Sequence, residues 1–479
     1  MNGKTIMKNI LWKFAERLCT QGVSFIVSII LARMLLPEDY GIISMILVFI
    51  NIAEVFVSSG FNAALIQKKD ADDVDFSTIF YCSILVSLIL YGLLYVFAPY
   101  IADFYGQAEL IRVLRVLGIR LLVNAYNSIQ SAYVSRHMQF RKFFFSTSIG
   151  TMLSAIAGIF LAYRGAGYWA LVTQYLCNAI VNTVVLSITI NWHPKLVFSK
   201  SRAKVLISFG GRVMVADFIG TLYNEMRALV IGRYYSSADL AYYNKAEQFP
   251  KLFADNILNT VSAVLFPALS NFSESKDRVR EMTRTAIRST CFLMFPLMTG
   301  LCVLANPLIR VVLTEKWLPS VPFLQLACIS YAILPLNNTN VQAIKAMGKG
   351  ATYLQIEMLK KILGILVIIV SAQISVMAVA ISAVSIAFIY LVINVIPNGR
   401  LLGYGLRDQL VDVIPFAIYS LIMGVAVYFV GMMFSDSSIV SLLVQIVVGV
   451  LVYFGMAVVT RNKEVVFFWK LFNSMILKR

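Results

Sequence analysis

Polar stretches of any length are nearly absent from this sequence, and acidic charge is scarcer still: 14% of 479 residues are charged, with 24 Asp and Glu against 41 Lys and Arg. With 59% hydrophobic residues and mean hydropathy +0.79, the chain carries more apolar side chain than a water-soluble core of its length would bury. It reads as an integral membrane protein. Strand-type alternation is missing too, which argues against a membrane barrel. Apolar stretches of roughly 18 to 25 residues recur instead, each long enough to cross a hydrocarbon core as a helix.

Other absences narrow the chemistry. The two histidines, His137 and His193, fall between apolar stretches, so neither a histidine proton relay nor a metal site is expected. Cys19, Cys82, Cys177, Cys291, Cys302 and Cys328 stand singly inside apolar runs, as buried small hydrophobes do. Gly348-Lys349-Gly350 has Ala343 where a phosphate loop carries glycine and no Ser or Thr directly after the lysine, so no ATP engine is expected. Connecting segments are too short for a soluble transferase or polymerase domain. Met1 to Lys8 hold no apolar run ending in a cleavage site, and the first span reads as an uncleaved insertion signal.

What is present points to an all-α polytopic membrane protein of about fourteen transmembrane helices, arranged as two parallel six-helix repeats plus two C-terminal helices. Three matches suggest the duplication. Arg33 to Asp39 and Arg233 to Asp239 have the same placing of Arg and Asp, Ala98-Pro99 is set against Asn306-Pro307, and Tyr168 to Val172 against Val376 to Ala380. The expected divisions are an N-terminal lobe over 1–200, a C-terminal lobe over 201–400, and two added helices with an interfacial tail around Val465 to Phe472 over 401–479. Lys4, Lys8, Lys68, Lys69, Arg136, Lys195, Arg202, Lys276, Lys349, Arg400 and Arg461 gather in alternate loops, so both termini are expected on the cytoplasmic side. That rim, facing anionic lipid, accounts for the net charge of +17 without nucleic acid. Lys68 and Lys276 are rim charges expected to tolerate alanine.

Polar residues inside apolar runs are the candidate machinery, because charge at bilayer depth is costly. Arg120, Asn124, Asn127 and Ser131 share one face of the fourth span, placed near 110–132. Gln174, Asn178 and Asn182 repeat every four residues in the sixth, and Asp217, Thr221 and Asn224 form a stripe in the seventh. Such stripes line an internal aqueous cavity or bond one helix to the next. Arg120, Arg212 and Lys360 are the candidates for holding an anionic headgroup, and Glu54, Asp217 and Asp255 for binding a coupling proton or sodium ion; a buried salt bridge is the alternative for each. No other cofactor is expected.

Leu31 to Gly41, Gly60-Phe61-Asn62-Ala63-Ala64-Leu65, Gly165 to Leu171 and Ile231-Gly232-Arg233-Tyr234-Tyr235 resemble polysaccharide-transport members of the MOP flippase superfamily, nearest the colanic-acid exporter group. The resemblance implies two six-helix lobes around a cationic cavity that alternately faces each side. It implies a polyprenyl-pyrophosphate-linked oligosaccharide as cargo, for exopolysaccharide, capsule or O-antigen, with membrane lipids and other polysaccharide assembly proteins as partners. Two other functions stay open: a multidrug or small-solute antiporter of the same superfamily, and a membrane glycosyl polymerase or ligase. The last two spans are expected to border the polyprenyl tail and to be dispensable for folding.

Overall fold

The computed structural model describes residues 3–68, 70–434 and 438–465, and the chain is helical throughout them. From Gly3 to Leu11, and at Phe14 and Leu18, only the backbone is described, so the side chains of Lys4 and Lys8 lie outside the description, as do Lys69 and the tail beyond Val465 altogether. The α-helices in chain order are α1 (Gly3–Met34), α2 (Pro37–Glu54), α3 (Gly60–Gln67), α4 (Asp73–Tyr105), α5 (Leu110–Leu117), α6 (Ile119–Arg136), α7 (Phe140–Tyr163), α8 (Tyr168–Thr189) and α9 (Lys200–Tyr234). They continue with α10 (Ser237–Asn271), α11 (Lys276–Val303), α12 (Ala305–Val312), α13 (Val321–Ala346), α14 (Gly350–Ala372), α15 (Val376–Leu402), α16 (Leu406–Met432) and α17 (Ile439–Val459). Between α2 and α3 the helix widens into a π turn, Val55–Ser59.

Twelve helical segments among the described residues are long and apolar enough to cross a membrane. The other two of the fourteen expected spans coincide with α6, whose Arg120, Asn124 and Asn127 lower its hydropathy, and α14, which is apolar enough but carries three charged residues, Glu357, Lys360 and Lys361. The fourth span also differs in form. Gly118 separates a short amphipathic helix, α5, from α6, so Arg112 and Arg115 lie before the span rather than within it.

Helix capping explains why the Arg–Asp repeat persists 200 residues apart. Arg33 and Arg233 each stand in the last turn of a helix, where a cation meets the negative end of the dipole. Asp39 then reaches back to accept from Leu36 N at 3.0 Å, and Asp239 from Ser236 N at 3.2 Å. Ser236 Oγ accepts in turn from Asp239 N at 3.1 Å, while the first copy has Pro37 at its N1 position. The Ala98-Pro99 match is misregistered, since Pro99 lies inside α4 and Pro307 inside α12. The equivalent segments are Leu110-Ile111-Arg112-Val113 of α5 and Leu308-Ile309-Arg310-Val311 of α12, each a short helix between two long ones.

The chain forms two compact units, Met1–Ala241 and Tyr242–Arg479. The division lies beyond the 200/201 boundary of the repeat because α9 packs on α2, α3 and α4 of the first unit. Its closest approach is glycine on glycine: a Cβ on Gly210 would lie 2.5 Å from the Gly60 carbonyl oxygen. In the second unit Phe292 (α11), Phe416 (α16) and Tyr453 (α17) form one aromatic core, with ring centroids 5.6 Å apart for Phe292–Phe416 and 5.3 Å for Phe292–Tyr453. Lipid is as apolar as such a core, so burial adds little and close packing with interhelical hydrogen bonds holds the helices.

The hydrogen bonds are correspondingly dense. Asn394 donates to Asn337 at 2.8 Å, Asn398 to Asn340 at 2.6 Å, and Gln409 to Asn340 at 2.9 Å, tying α13, α15 and α16 together. Arg284 of α11 binds both oxygens of Asp412 on α16 at 2.7 Å, while Arg288 reaches Asp412 at 3.3 Å and Glu464 at 2.9 Å. Tyr404 also donates to Asp412, at 2.9 Å. These bonds make α16 and the segment after α17 integral to the second unit rather than an appendage to it.

Candidate functional site

A polar strip runs down α2 at Asn51 and Glu54 and into the π turn at Ser58. Glu54 lies seventeen residues below the start of α2, or roughly 26 Å along its axis. The π turn begins immediately after it and shifts the helix register, and other side chains satisfy the displaced carbonyls: Ser83 donates to Val57 O at 3.1 Å and Ser128 to Ser58 O at 3.5 Å. Such turns recur at functional sites because they reorient one face of a helix.

Two residues of α6 meet Glu54. Arg120 Nε stands 3.2 Å from Glu54 Oε1, and Asn124 Nδ2 donates to the same oxygen. Arg120 also lies 5.6 Å from the centroid of the Tyr175 ring on α8. One turn above, Asn51 donates to Glu225 of α9 at 2.9 Å. The side chains of Arg120 and Glu54 keep 22% and 21% of their surface open. Arg120 thus pairs with Glu54 by charge and donates no hydrogen bond among the described residues, and Glu54 Oε2 has no partner there. The site therefore presents unengaged guanidinium N–H donors beside a free carboxylate oxygen, at the depth where neither is stable without a partner.

The remaining candidates distribute unevenly. Asn178 donates to Thr151 at 3.5 Å and Ser154 at 3.4 Å on α7, and Gln174 packs beside Gly158 on the same helix, so this stripe makes the contacts of interhelical bonding. Asn127 accepts from Ser131 at 3.4 Å, while its buried Nδ2 has no hydrogen-bond partner. On α9, Arg212, Asp217 and Asn224 are exposed and Thr221 is half-buried. Asp255 is half-buried on α10. Lys360 belongs to the second unit, buried on α14 with its Nζ 2.5 Å from Glu357 Oε1 and 5.5 Å from the Tyr390 ring of α15. Thus within the first unit Arg120, Asn124 and Glu54 come together, and that unit's other candidates form no hydrogen bond or ion pair with them among the described residues. Asn51, Tyr175 and Glu225 were not legible as members: Glu225 sits next to the selected Asn224, but only packing against α2 distinguishes it.

The family model described as "Polysaccharide biosynthesis protein" matches residues 30–322. The chain belongs to that family. The succinoglycan biosynthesis transport protein ExoT of Rhizobium meliloti (strain 1021) is 27% identical over 351 residues, which cover 73% of this chain and 71% of ExoT. Among solved structures, the lipid II flippase MurJ in an inward closed conformation matches with a TM-score of 0.77 at 17% identity, over 95% of this chain and 99% of MurJ. An inward-facing multidrug resistance MATE family transporter of the MOP superfamily matches with a TM-score of 0.61 at 13% identity, over 81% of this chain and 98% of that one. The fold is the MOP fold, and this family member is a membrane transporter rather than an enzyme.

Proposed function

We propose that this protein moves a polyprenyl-pyrophosphate-linked oligosaccharide outward across the bacterial plasma membrane by alternating access, supplying surface polysaccharide assembly. The observation that carries the reading is the Arg120 guanidinium, held by its ion pair with Glu54 at 3.2 Å and with its donors open. A planar guanidinium matches phosphate oxygens bidentately, so a pyrophosphate is a cargo it would retain. The relatives support the class of cargo, since ExoT is named a transport protein of succinoglycan biosynthesis and MurJ a lipid II flippase.

Glu54 supplies the coupling. Binding of a proton or sodium ion to its carboxylate changes its hold on Arg120, and so links the availability of the guanidinium for cargo to the ion. The charge of the loops supports a cytoplasmic position for both termini, on the side where other polysaccharide assembly proteins would deliver the cargo. Deleting the gene should trap lipid-linked oligosaccharide in the inner leaflet and remove surface polymer, and wild type but not Arg120→Ala should restore both. Unchanged surface polymer in the deletion strain, together with raised sensitivity to small toxic solutes, would instead identify an antiporter.

A further inference from the structure

Where the first turns of α1 and α7 pack together in the first unit, cations rest on aromatic rings. The apolar part of α1 begins at Ala15, so Trp12 stands just outside it, and Arg141 lies in the first turn of α7. The Arg141 guanidinium is 5.7 Å from the Trp12 ring centroid and 5.5 Å from that of Phe145, the two rings being 6.2 Å apart. Beside it Lys13 Nζ stands 5.0 Å from the Phe143 ring and 2.8 Å from Glu16. Residues 12–17 and 140–145 hold the cations Lys13, Arg17, Arg141 and Lys142 against the one acid Glu16, which Lys13 already engages. Arg141 makes no hydrogen bond or ion pair among the described residues. Contact with a ring occupies the flat face of a guanidinium and leaves the N–H donors along its edge for the oxygens of an anion.

What lies deeper along α7 selects the ligand. Phe145, Ile149, Met152, Ile156 and Phe160 follow one another at helical spacing on a single face, and all five are exposed. That stripe is roughly 22 Å long, more than the ~15 Å of hydrocarbon in one leaflet. A free anion would use the guanidinium and leave the stripe bare, while a zwitterionic headgroup would find the nearby acid taken. We propose that the start of α1 and α7 binds one anionic phospholipid of the adjoining leaflet, its phosphate on the Arg141 guanidinium and an acyl chain along the exposed face of α7. The rings give this lipid a defined seat, distinct from the diffuse charge of the basic rim. The site is independent of the transport reading and of the Arg120 and Glu54 pair.

The test titrates the purified full-length protein with phosphatidylglycerol against a phosphatidylcholine background and reads the retained lipid by native mass spectrometry. Wild type should retain phosphatidylglycerol in preference to phosphatidylcholine. Arg141→Gln should weaken that retention about tenfold, Trp12→Leu should weaken it as well, and Lys276→Gln, which removes an exposed cation of the second unit, should leave it unchanged. Undiminished retention by Arg141→Gln, or an equal loss with Lys276→Gln, would overturn the site in favour of a diffuse basic rim. Displacement of the lipid by equimolar inorganic phosphate or pyrophosphate-linked sugar would give the guanidinium to another anion and overturn this occupant. Should a variant fail to fold, phospholipids brominated on their acyl chains provide a second measurement. The part of the tryptophan emission that Trp12→Phe removes should be quenched more by brominated phosphatidylglycerol than by brominated phosphatidylcholine, and equal quenching would overturn the proposal.

Discussion

Arg120 Nε and Glu54 Oε1 stand 3.2 Å apart across α6 and α2, a cation and an anion 66 positions apart in sequence, each with hydrogen-bonding capacity to spare. Their partial pairing is what distinguishes this site from the saturated clamp around Asp412.

Glu54→Gln tests the coupling role. The amide keeps the shape and still accepts from Asn124, but it cannot bind a proton as a carboxylate does. Wild-type transport into liposomes should respond to an imposed pH or sodium gradient, and the variant should respond to neither. A retained response would place coupling elsewhere.

The clamp yields a different outcome for the terminal helices than their apolar sequence suggests. Asp412 is 2% exposed and holds two arginines and a tyrosine, so Asp412→Ala should destabilise the second unit by about 3 kcal/mol, read as a lower melting temperature in detergent. Ending the chain after Arg407 removes Asp412, Phe416 and Tyr453 together. That truncation should fail to accumulate as a monodisperse protein, whereas normal yield would restore the view of α16 and α17 as accessories.

Glycine packing makes a third case. Gly60→Ala gains about 1 kcal/mol of helix propensity but drives a methyl into the Gly210 backbone, where overpacking costs about 1–3 kcal/mol. The net result should be a lower melting temperature. Gly220→Ala, on α9 with nothing within 4 Å of the added carbon, should raise it slightly or leave it unchanged.

At the basic end of the first unit, Lys68 Nζ lies 2.6 Å from the fully buried Asp75, and Arg202 bonds to Asp72. Lys68→Ala should therefore cost about 1–3 kcal/mol, unlike exposed Lys276→Ala, so the two rim lysines are not equivalent. The Arg202 hydrogen bond holds the Asp72 carboxyl down at about 2, below its ordinary 3.8. A depressed carboxyl contributes stability above its unfolded value and loses it as pH falls through the folded one. The gap in melting temperature between wild type and Asp72→Asn should hold at pH 5 and close between about pH 4 and 2; a constant gap would rule out this linkage.

Composition disclosed the membrane solvent and the helical class because hydropathy sums over many residues and needs no contacts. The caps that Asp39 and Asp239 form emerged only from the structure, while the matching placement of Arg33 and Asp39 with Arg233 and Asp239 was legible as a repeat. Register was not: the apolar run from Leu110 hides the break at Gly118, which depends on α5 packing against α4. Pairing was not legible either, since nothing in the spacing links Arg120 to Glu54 or Arg284 to Asp412 across 128 positions. Asp412 escaped notice because it lies three residues before Pro415, where the uncharged stretch of its span begins.

The most direct measurement is the initial rate at which purified protein in liposomes translocates a fluorescent polyprenyl-pyrophosphate sugar, compared for wild type, Arg120→Lys and Arg120→Ala at equal folded amounts. Wild type should move it; Arg120→Lys, with charge but no fork, should keep a fraction; Arg120→Ala should fall at least tenfold. Wild-type rates in the alanine variant would contradict the central claim that this guanidinium holds the cargo.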